Sequence, residues 1–461
     1  MVRLFKHYVP YAVLLLGLID CVLLWAGADL AWNLRAWQIG IDPGPLWHRA
    51  GALSFITAVM LAAMAAVGVY GGDALRSLRF AGARLLVAVS LAILALALVD
   101  FVLPGATFWR SILLYAMILS IGLLMLDRAV VMALLGEAAF RRRVIVLGAG
   151  RRAMRLQALS ERPGSGFEIV GAIAMGESGA ALPHAVERGA IEDLSRFVAG
   201  LRAGEVVLAL EERRNALPLK DLLRVKTTGV HVNEFASFME RETGRVDLDT
   251  LNPSWLIFSD GFSSARAVSS IAKRLFDVLA SGALLALSFP VIALFAVLVR
   301  LDSPGPAFFR QTRVGLYGQP FTLLKLRSMH LDAEAGGAKW AERNDPRVTR
   351  VGRVIRKLRI DELPQVWTVL KGRMSFVGPR PEVAQFVDQL EEQLPYYAER
   401  HMVKPGITGW AQINYPYGAS VEDARAKLEY DLYYAKNYTP FLDLLILLQT
   451  LRVILWPEGS R

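Results

Sequence analysis

The sequence predicts a membrane α-helical bundle joined to α/β structure, and three observations carry that reading. Four apolar runs open the chain, a strand–glycine turn–helix pattern follows them, and a fifth apolar run interrupted by Pro290 precedes a basic C-terminal third. The 461 residues are 54% hydrophobic, and the mean hydropathy of +0.37 is high for a soluble protein. The formal net charge of +10 sits mostly outside the apolar runs. Such a balance suits anionic lipid headgroups, phosphorylated substrates or nucleic acid. The single cysteine, Cys21, lies within an apolar run, so an intrachain disulfide is excluded and a reducing compartment fits. No cleavage pattern follows the first run, which is expected to be retained.

The four runs are Val9–Ala28, Ala50–Tyr70, Leu85–Leu103 and Ile112–Leu126. Each approaches the roughly 20 residues that span a bilayer core, the fourth being short. Arg3 and Lys6 precede the first run, Arg76, Arg79 and Arg84 separate the second from the third, and Arg128 and Arg141 to Arg143 follow the fourth. The other side carries Arg35, Arg49 and Arg110. The positive-inside rule then places both ends of the bundle in the cytoplasm. Trp25, Trp32, Trp37, Trp47 and Trp109 flank the outer ends like an aromatic belt. Asp20 is the one ionisable residue deep in a span, and a helix–helix contact is its expected role.

After Arg143 the composition turns soluble. Val144–Leu147 reads as a strand, followed by Gly148-Ala149-Gly150-Arg151-Arg152-Ala153 and a helical run. This GxGxxA spacing places Gly148 and Gly150 where a pyrophosphate can meet a helix N-terminus. The ribose-binding acid of a dinucleotide fold has only Glu177 as a candidate. Further strands are expected at Glu168–Ala174, Glu205–Leu210 and Gly229–Glu234. The segment therefore reads as a Rossmann-like domain without dinucleotide chemistry. The domain plan is 1–140 transmembrane, 141–262 Rossmann-like and 263–461 C-terminal.

The fifth run, about 273–300, is long enough to span, but Lys273 and Arg274 open it and Arg300, Arg310 and Arg313 close it. Both flanks thus carry the cytoplasmic signature. Pro290 breaks or kinks a helix in mid-run. A helix that enters one leaflet, turns at Ser288-Phe289-Pro290 and returns satisfies both facts; an ordinary kinked span is the alternative.

A hairpin over Phe308–Met329 follows. Its Lys325 and Arg327 alternate onto one strand face, where two cations can hold a diphosphate or simply protect an edge. Residues Arg359–Glu382 then read RIDELPQVWTVLKGRMSFVGPRPE. Asp361 and Glu362 open a helical run with Pro364 in its first turn and Gly372 at its end. Arg353, Arg356, Lys357, Arg359, Lys371, Arg373 and Arg380 surround the pair. A carboxylate pair at a helix start amid cations suits either an N-cap on a solvated face or a phosphate-handling site. The final run, Phe441–Trp456, is too short to span and reads as a helix lying in the membrane interface.

Five ordered motifs decide between these readings. Lys273-Arg274-Leu275-Phe276-Asp277, Lys325-Leu326-Arg327-Ser328-Met329, Asp361-Glu362-Leu363-Pro364-Gln365, Ser375-Phe376-Val377-Gly378-Pro379-Arg380-Pro381 and Lys404-Pro405-Gly406-Ile407-Thr408-Gly409-Trp410 together resemble the bacterial sugar transferase family, the monotopic phosphoglycosyl transferases. The match runs from about Ile271 to the C-terminus. The preceding bundle and Rossmann-like domain are similar to the long members that initiate exopolysaccharide repeat units, as are Tyr415-Pro416-Tyr417-Gly418-Ala419-Ser420 and Tyr430–Tyr434. The resemblance implies an α+β catalytic domain on a re-entrant helix in the bacterial inner membrane, facing the cytoplasm. It implies transfer of a sugar-1-phosphate from a UDP-sugar to undecaprenyl phosphate, with release of UMP. It implies Asp361 as nucleophile, Glu362 as Mg²⁺ ligand, Arg380 as phosphate or nucleotide contact, and functional places for Arg356, Lys325 and Asp431. Small members carry Ser-Pro at the membrane break. Here Ser288 stands one place early, which leaves open whether a hydroxyl bonds the backbone there. The expected partners are undecaprenyl phosphate, a UDP-sugar, membrane lipids and, as an open option, a second copy of the chain; no nucleic acid is expected.

Two other functions are weighed. A nucleotide-sugar dehydratase needs a Tyr-x-x-x-Lys pair, and no tyrosine here has a lysine four residues on. A non-catalytic scaffold of a polysaccharide export complex would not need intact Asp-Glu and Pro-Arg-Pro motifs.

Overall fold

A computed structural model describes residues 2–4, 7–9, 11–70, 78–102, 110–135, 141–162, 165–175, 182–211, 217–251, 267–334, 345–416, 418 and 420–455. Arg76, Trp109, Glu177, Tyr417, Ala419 and Trp456 lie outside the described residues. The chain divides into two compact units, Met1–Thr243 and Gly244–Arg461.

The first unit opens with a short antiparallel pair, β1 (Val2–Leu4) and β2 (His7–Val9). Four long helices follow: α1 (Tyr11–Gln38), α2 (Leu46–Val67), α3 (Leu78–Val102) and α4 (Arg110–Leu135). α1 lies against α2 and α4, and α3 against the same two. Leu24, Leu53, Met60, Leu85, Val89 and Leu124 meet in their shared core, while Leu18, Leu94, Ile118 and Leu126 stay exposed, as lipid-facing side chains do. α1, α2 and α4 each hold a stretch long and apolar enough to cross a membrane. The fourth run is longer than its apolar stretch suggests, because Asp127 and Arg128 continue the helix. Arg128 is tolerated there by its partners. Its guanidinium donates to both oxygens of fully buried Asp20, at 3.1 and 2.6 Å, and Tyr70 Oη donates to the same carboxylate at 2.8 Å. Asp20 is thus the expected helix–helix contact.

The Rossmann-like part has a five-stranded parallel sheet in the order β5-β4-β3-β6-β7. These strands are β3 (Arg142–Leu147), β4 (Phe167–Ala174), β5 (Val186–Glu187), β6 (Glu205–Leu208) and β7 (His231–Glu234). Alternation along β3 explains the two helical layers. Val144 and Val146 pack with Ala153 and Leu156 of α5 (Arg151–Ser160) and Phe238 of α8 (Phe235–Thr243). Ile145 and Leu147 pack on the other face with Val198 of α6 (Leu194–Gly200) and Val225 of α7 (Leu219–Thr227). Gly148 has φ 115°, and a Cβ there would meet the Ala209 carbonyl group, so glycine is required. The first N–H of α5 is already taken: Arg151 N donates to Glu211 Oε1 at 2.9 Å.

The second unit begins with Gly244–Leu251, whose Val246 and Leu248 enter its core. The 36-residue α9 (Ala267–Asp302) stays helical through Ser288-Phe289-Pro290 rather than opening into a separate turn. Pro290 removes one backbone donor, and two residues before it the Ser288 hydroxyl donates to Leu284 O at 2.6 Å. A hydroxyl-to-backbone bond therefore exists at the break, from one position earlier than in small members. Both ends of α9 are pinned within this unit. Lys273 reaches Asp443 and Val377 O, and Arg274 donates to Val369 O and Leu370 O. At the far end, Val299 packs on Leu326 and Ile355, and Asp302 accepts from Val351 N.

β8 (Phe308–Val314) and β9 (Pro320–Leu326) form the expected hairpin. After α10 (Arg350–Lys357) and α11 (Gln365–Leu370), β10 (Ser375–Val377) pairs in parallel with β11 (Gly406–Thr408). α12 (Ala384–Gln393) falls between these strands in chain order, and α13 (Trp410–Asn414), α14 (Val421–Asn437) and α15 (Pro440–Leu455) complete the unit. One face of α15 enters the core, where Leu442 and Ile446 are fully buried, and its Asp443 is bonded to Lys273 and Tyr434.

Candidate active site

A sharply bent backbone builds the acidic pair. Arg359, just beyond α10, adopts φ 58°, a left-handed conformation that stops a helix. The chain then makes a single 3₁₀ turn, Ile360–Glu362, and Pro364 caps α11. The helix thus starts four residues later than the sequence pattern suggests, and the pair occupies the tight turn before it. That turn leaves Asp361 only 7% exposed.

Three cations converge on Glu362. Its Oε1 lies 3.4 Å from Lys325 Nζ on β9, 3.4 Å from Arg380 Nη2 and 3.8 Å from Arg359 Nη1. Burial alone would raise the Glu362 pKa, but Arg380, Lys325 and Arg359 outweigh it and hold the carboxyl down to about 2. Asp361 moves the opposite way. Burial, then the adjacent Glu362 charge, push its pKa up against the pull of Lys325, Arg356 and Arg359. Asp361 Oδ1 is buried and has no hydrogen-bond partner among the described residues. One carboxylate is therefore fixed as an anion within a cationic ring, while its neighbour keeps an oxygen uncommitted.

Arg380 is held by its loop. Gly378 N donates to Thr408 O and Gly406 N to Pro379 O, both at 2.9 Å. A Cβ on Gly378 would collide with the Lys404 carbonyl oxygen, and one on Gly406 with the Gly378 nitrogen. The glycines of the two motifs thus let two backbones zip together and fix the Arg380 turn. Behind it, buried Arg400 donates to Arg380 O at 3.0 Å and to Asp431 Oδ2 at 2.7 and 3.0 Å. Arg313 adds a bond to Pro381 O at 3.1 Å.

Of the residues singled out from sequence, Asp361, Glu362, Lys325 and Arg380 come together. Arg356, half-buried on the last turn of α10, acts on Asp361 through charge. Asp431 is buried one layer behind and reaches the site through Arg400. Arg327 does not join them. It follows the end of β9, is 3% exposed, and donates to the carbonyls of Ser303, Pro304 and Val299 at the end of α9. There it caps a helix C-terminus. Ser288, Phe289 and Pro290 lie in mid-α9, and Gly148 and Gly150 belong to the first unit. Arg400 was missed; its only sequence signal was a basic pair, Arg400-His401, beside two tyrosines.

Among the described residues no three His, Cys, Asp or Glu side chains gather as a metal site. Mg²⁺ needs only one or two carboxylates when substrate phosphates fill the remaining positions. Glu362 can supply one such carboxylate.

The bacterial sugar transferase family matches residues 268–457. In the Caulobacter vibrioides UDP-glucose:undecaprenyl-phosphate glucose-1-phosphate transferase, 44% of residues are identical over 197, covering 42% of this chain and 74% of that protein. The chain belongs to the bacterial sugar transferase family. A second relative, the UDP-N-acetylgalactosamine-undecaprenyl-phosphate N-acetylgalactosaminephosphotransferase of Aeromonas hydrophila, is 45% identical over 240 residues, 52% of this chain. That match spans 56% of the Aeromonas protein's length. The uncharacterized sugar transferase EpsL of Bacillus subtilis is 46% identical over 189 residues, 41% of this chain and 90% of its own. A CoA-binding domain family matches residues 65–231. In this structure the first N–H of the α5 N-terminus is held by the Glu211 carboxylate.

Proposed function

We propose that this member of the family transfers a sugar-1-phosphate from a UDP-sugar to undecaprenyl phosphate, the first membrane step of exopolysaccharide repeat-unit assembly. The observation that carries the reading is the pairing of uncommitted, buried Asp361 Oδ1 with a neighbouring Glu362 ringed by Lys325, Arg380 and Arg359. The acceptor and donor classes come from the names of the relatives.

Asp361 Oδ1 attacks the phosphorus that bears the sugar. A new Asp361 O–P bond forms, the bond between that phosphorus and the bridging oxygen breaks, and UMP leaves with the electron pair. A phosphate oxygen of undecaprenyl phosphate then attacks the same phosphorus and displaces Asp361, which returns as a carboxylate. Lys325 and Arg380 meet the diphosphate oxygens, Arg380 through its planar fork. Asp361 is buried against water but faces cations, so its anionic form costs less to bring to phosphorus. Glu362 would hold Mg²⁺, which would neutralise charge on the diphosphate.

We place the catalytic unit on the cytoplasmic face of the inner membrane with α9 re-entrant. The support is that both ends of α9 are tied to the same compact unit, whereas a straight span would part them across about 30 Å of hydrocarbon. Cysteine labels at positions 269 and 303 should both react only from the cytoplasmic side; opposite accessibility would leave an ordinary kinked span. UMP release measured against a panel of UDP-sugars, with and without undecaprenyl phosphate, tests the activity. Sugar-nucleotide binding without UMP release would favour the scaffold reading instead.

A further inference from the structure

The three cations on Glu362 are not equivalent. Lys325 and Arg380 arise from β9 and the zipped Gly378 loop, with side chains 21% and 40% exposed, each 3.4 Å from Glu362 Oε1. Arg359 arises from the end of α10, with its side chain 69% exposed and 3.8 Å away. It is the loosest of the three and the first that a competing ligand can take. Its backbone is also costly, since a non-glycine residue at φ 58° is strained. Glycine or asparagine would sit there more easily.

The surroundings of Arg359 differ from those of its two companions. Leu358 beside it is 60% exposed and Val354, one turn earlier on the same helix, 49%. Arg353 and Lys357 are exposed on that helix as well. α10 packs against the C-terminal end of α9, a helix whose Leu287, Phe289, Leu294, Val297 and Leu301 are all exposed. Arg359 therefore stands where apolar surface and positive charge meet, two residues from the uncommitted oxygen of Asp361. A phosphate carried on a long hydrocarbon matches that corner. The uridine and sugar of the donor are polar and match the Lys325–Arg380 side.

We propose that Arg359 binds the phosphate monoester of the polyprenyl acceptor, leaving Glu362 as that phosphate arrives and bringing its oxygen onto the phosphorus held by Asp361. This rests on the two-step transfer proposed above. Arg meets a phosphate through two parallel N–H···O bonds, and such charge-assisted contacts are among the stronger ones.

The test uses the full chain in detergent or nanodiscs, with Arg359→Asn and Arg359→Lys. Both half-reactions are followed: sugar-phosphate trapped on the protein without acceptor, and transfer to undecaprenyl phosphate. Arg359→Asn removes the charge while tolerating the left-handed backbone, so its thermal midpoint should not fall. We expect its KM for undecaprenyl phosphate to rise about tenfold or more. Its KM for the UDP-sugar should change much less, and Arg359→Lys should recover part of the acceptor affinity. A larger rise in the donor KM than in the acceptor KM would overturn the assignment in favour of the diphosphate, and an unchanged acceptor KM would overturn it outright. If the wild-type protein turns over without ever trapping sugar-phosphate, both this inference and the two-step reading fall. Trapping with normal acceptor affinity in Arg359→Asn sinks the inference alone.

Discussion

Two buried aspartates in this molecule look alike by accessibility and differ in every other respect. Asp20, in the helical bundle, has both oxygens occupied by Arg128 and one also by Tyr70. Asp361, in the second unit, sits in a tight turn with cations nearby, yet its Oδ1 bonds nothing among the described residues. A saturated carboxylate is a brace: its lone pairs are used, and its charge is matched within the fold. An unsaturated one costs stability where it stands, and the cations that make it bearable are those a phosphate would want. Burial alone therefore says little about chemistry. The number of uncommitted lone pairs, and the company they keep, says more.

Substitutions can break or sharpen that contrast. Asp361→Asn should reduce UMP release from a UDP-sugar by about 10⁴-fold or more while leaving the folded protein at normal yield, because the attacking group is gone. Retained turnover would make Asp361 another brace. Asp20→Asn should do the reverse. Leaving Arg128 buried and half-paired should cost about 3–5 kcal/mol of stability, read as a lower thermal midpoint in detergent, with turnover per folded molecule unchanged.

Between these extremes lies the Arg400–Asp431 pair, a brace that touches the site. Asp431→Asn should lower stability by a similar amount and also reduce kcat, since Arg400 would no longer hold the Arg380 carbonyl in place. Replacing both, as Arg400→Met with Asp431→Leu, should restore much of the stability but not the turnover. Recovery of both together would show that the pair serves the fold alone. Arg327→Met should have a smaller effect, about 1–3 kcal/mol from carbonyls left unpaired, with the KM for donor unchanged; a raised donor KM would return Arg327 to the phosphate site.

An effect confined to one pH range concerns His401, next to Arg400. Burial and then the Arg400 charge hold its pKa down to about 4 from an ordinary 6.5. A buried base with a lowered pKa takes up its proton on unfolding, so stability should fall as pH drops from about 6.5 toward 4. His401→Phe should flatten that part of the stability–pH curve by an amount on the order of 1–3 kcal/mol. An unchanged curve would mean that the fold does not lower the pKa of the ring.

The architecture was legible because it rests on periodicity and charge. Apolar length gave the four helices, and the alternation of Val144, Ile145, Val146 and Leu147 matches the two buried faces of β3. Strand alternation also placed Lys325, which does reach Glu362. The same rule failed two residues later because β9 ends at Leu326, and Arg327 turned to the carbonyls ending α9. The extension of the fourth helix past Leu126 was not legible, because Arg128 reads as the limit of the run until its partner, Asp20, is known. Arg400 and the Arg359 turn depend on contacts between residues far apart or on a backbone angle, which no local pattern records.

Covalent loading of Asp361 is the central step. The direct measurement is the mass of the peptide carrying Asp361 after the full chain meets UDP-glucose or UDP-N-acetylgalactosamine without lipid acceptor. The expected result is a sugar-phosphate adduct on that peptide, formed with one UMP released and removed when undecaprenyl phosphate is added. Turnover with acceptor present, but no adduct on Asp361 with either donor, would contradict it.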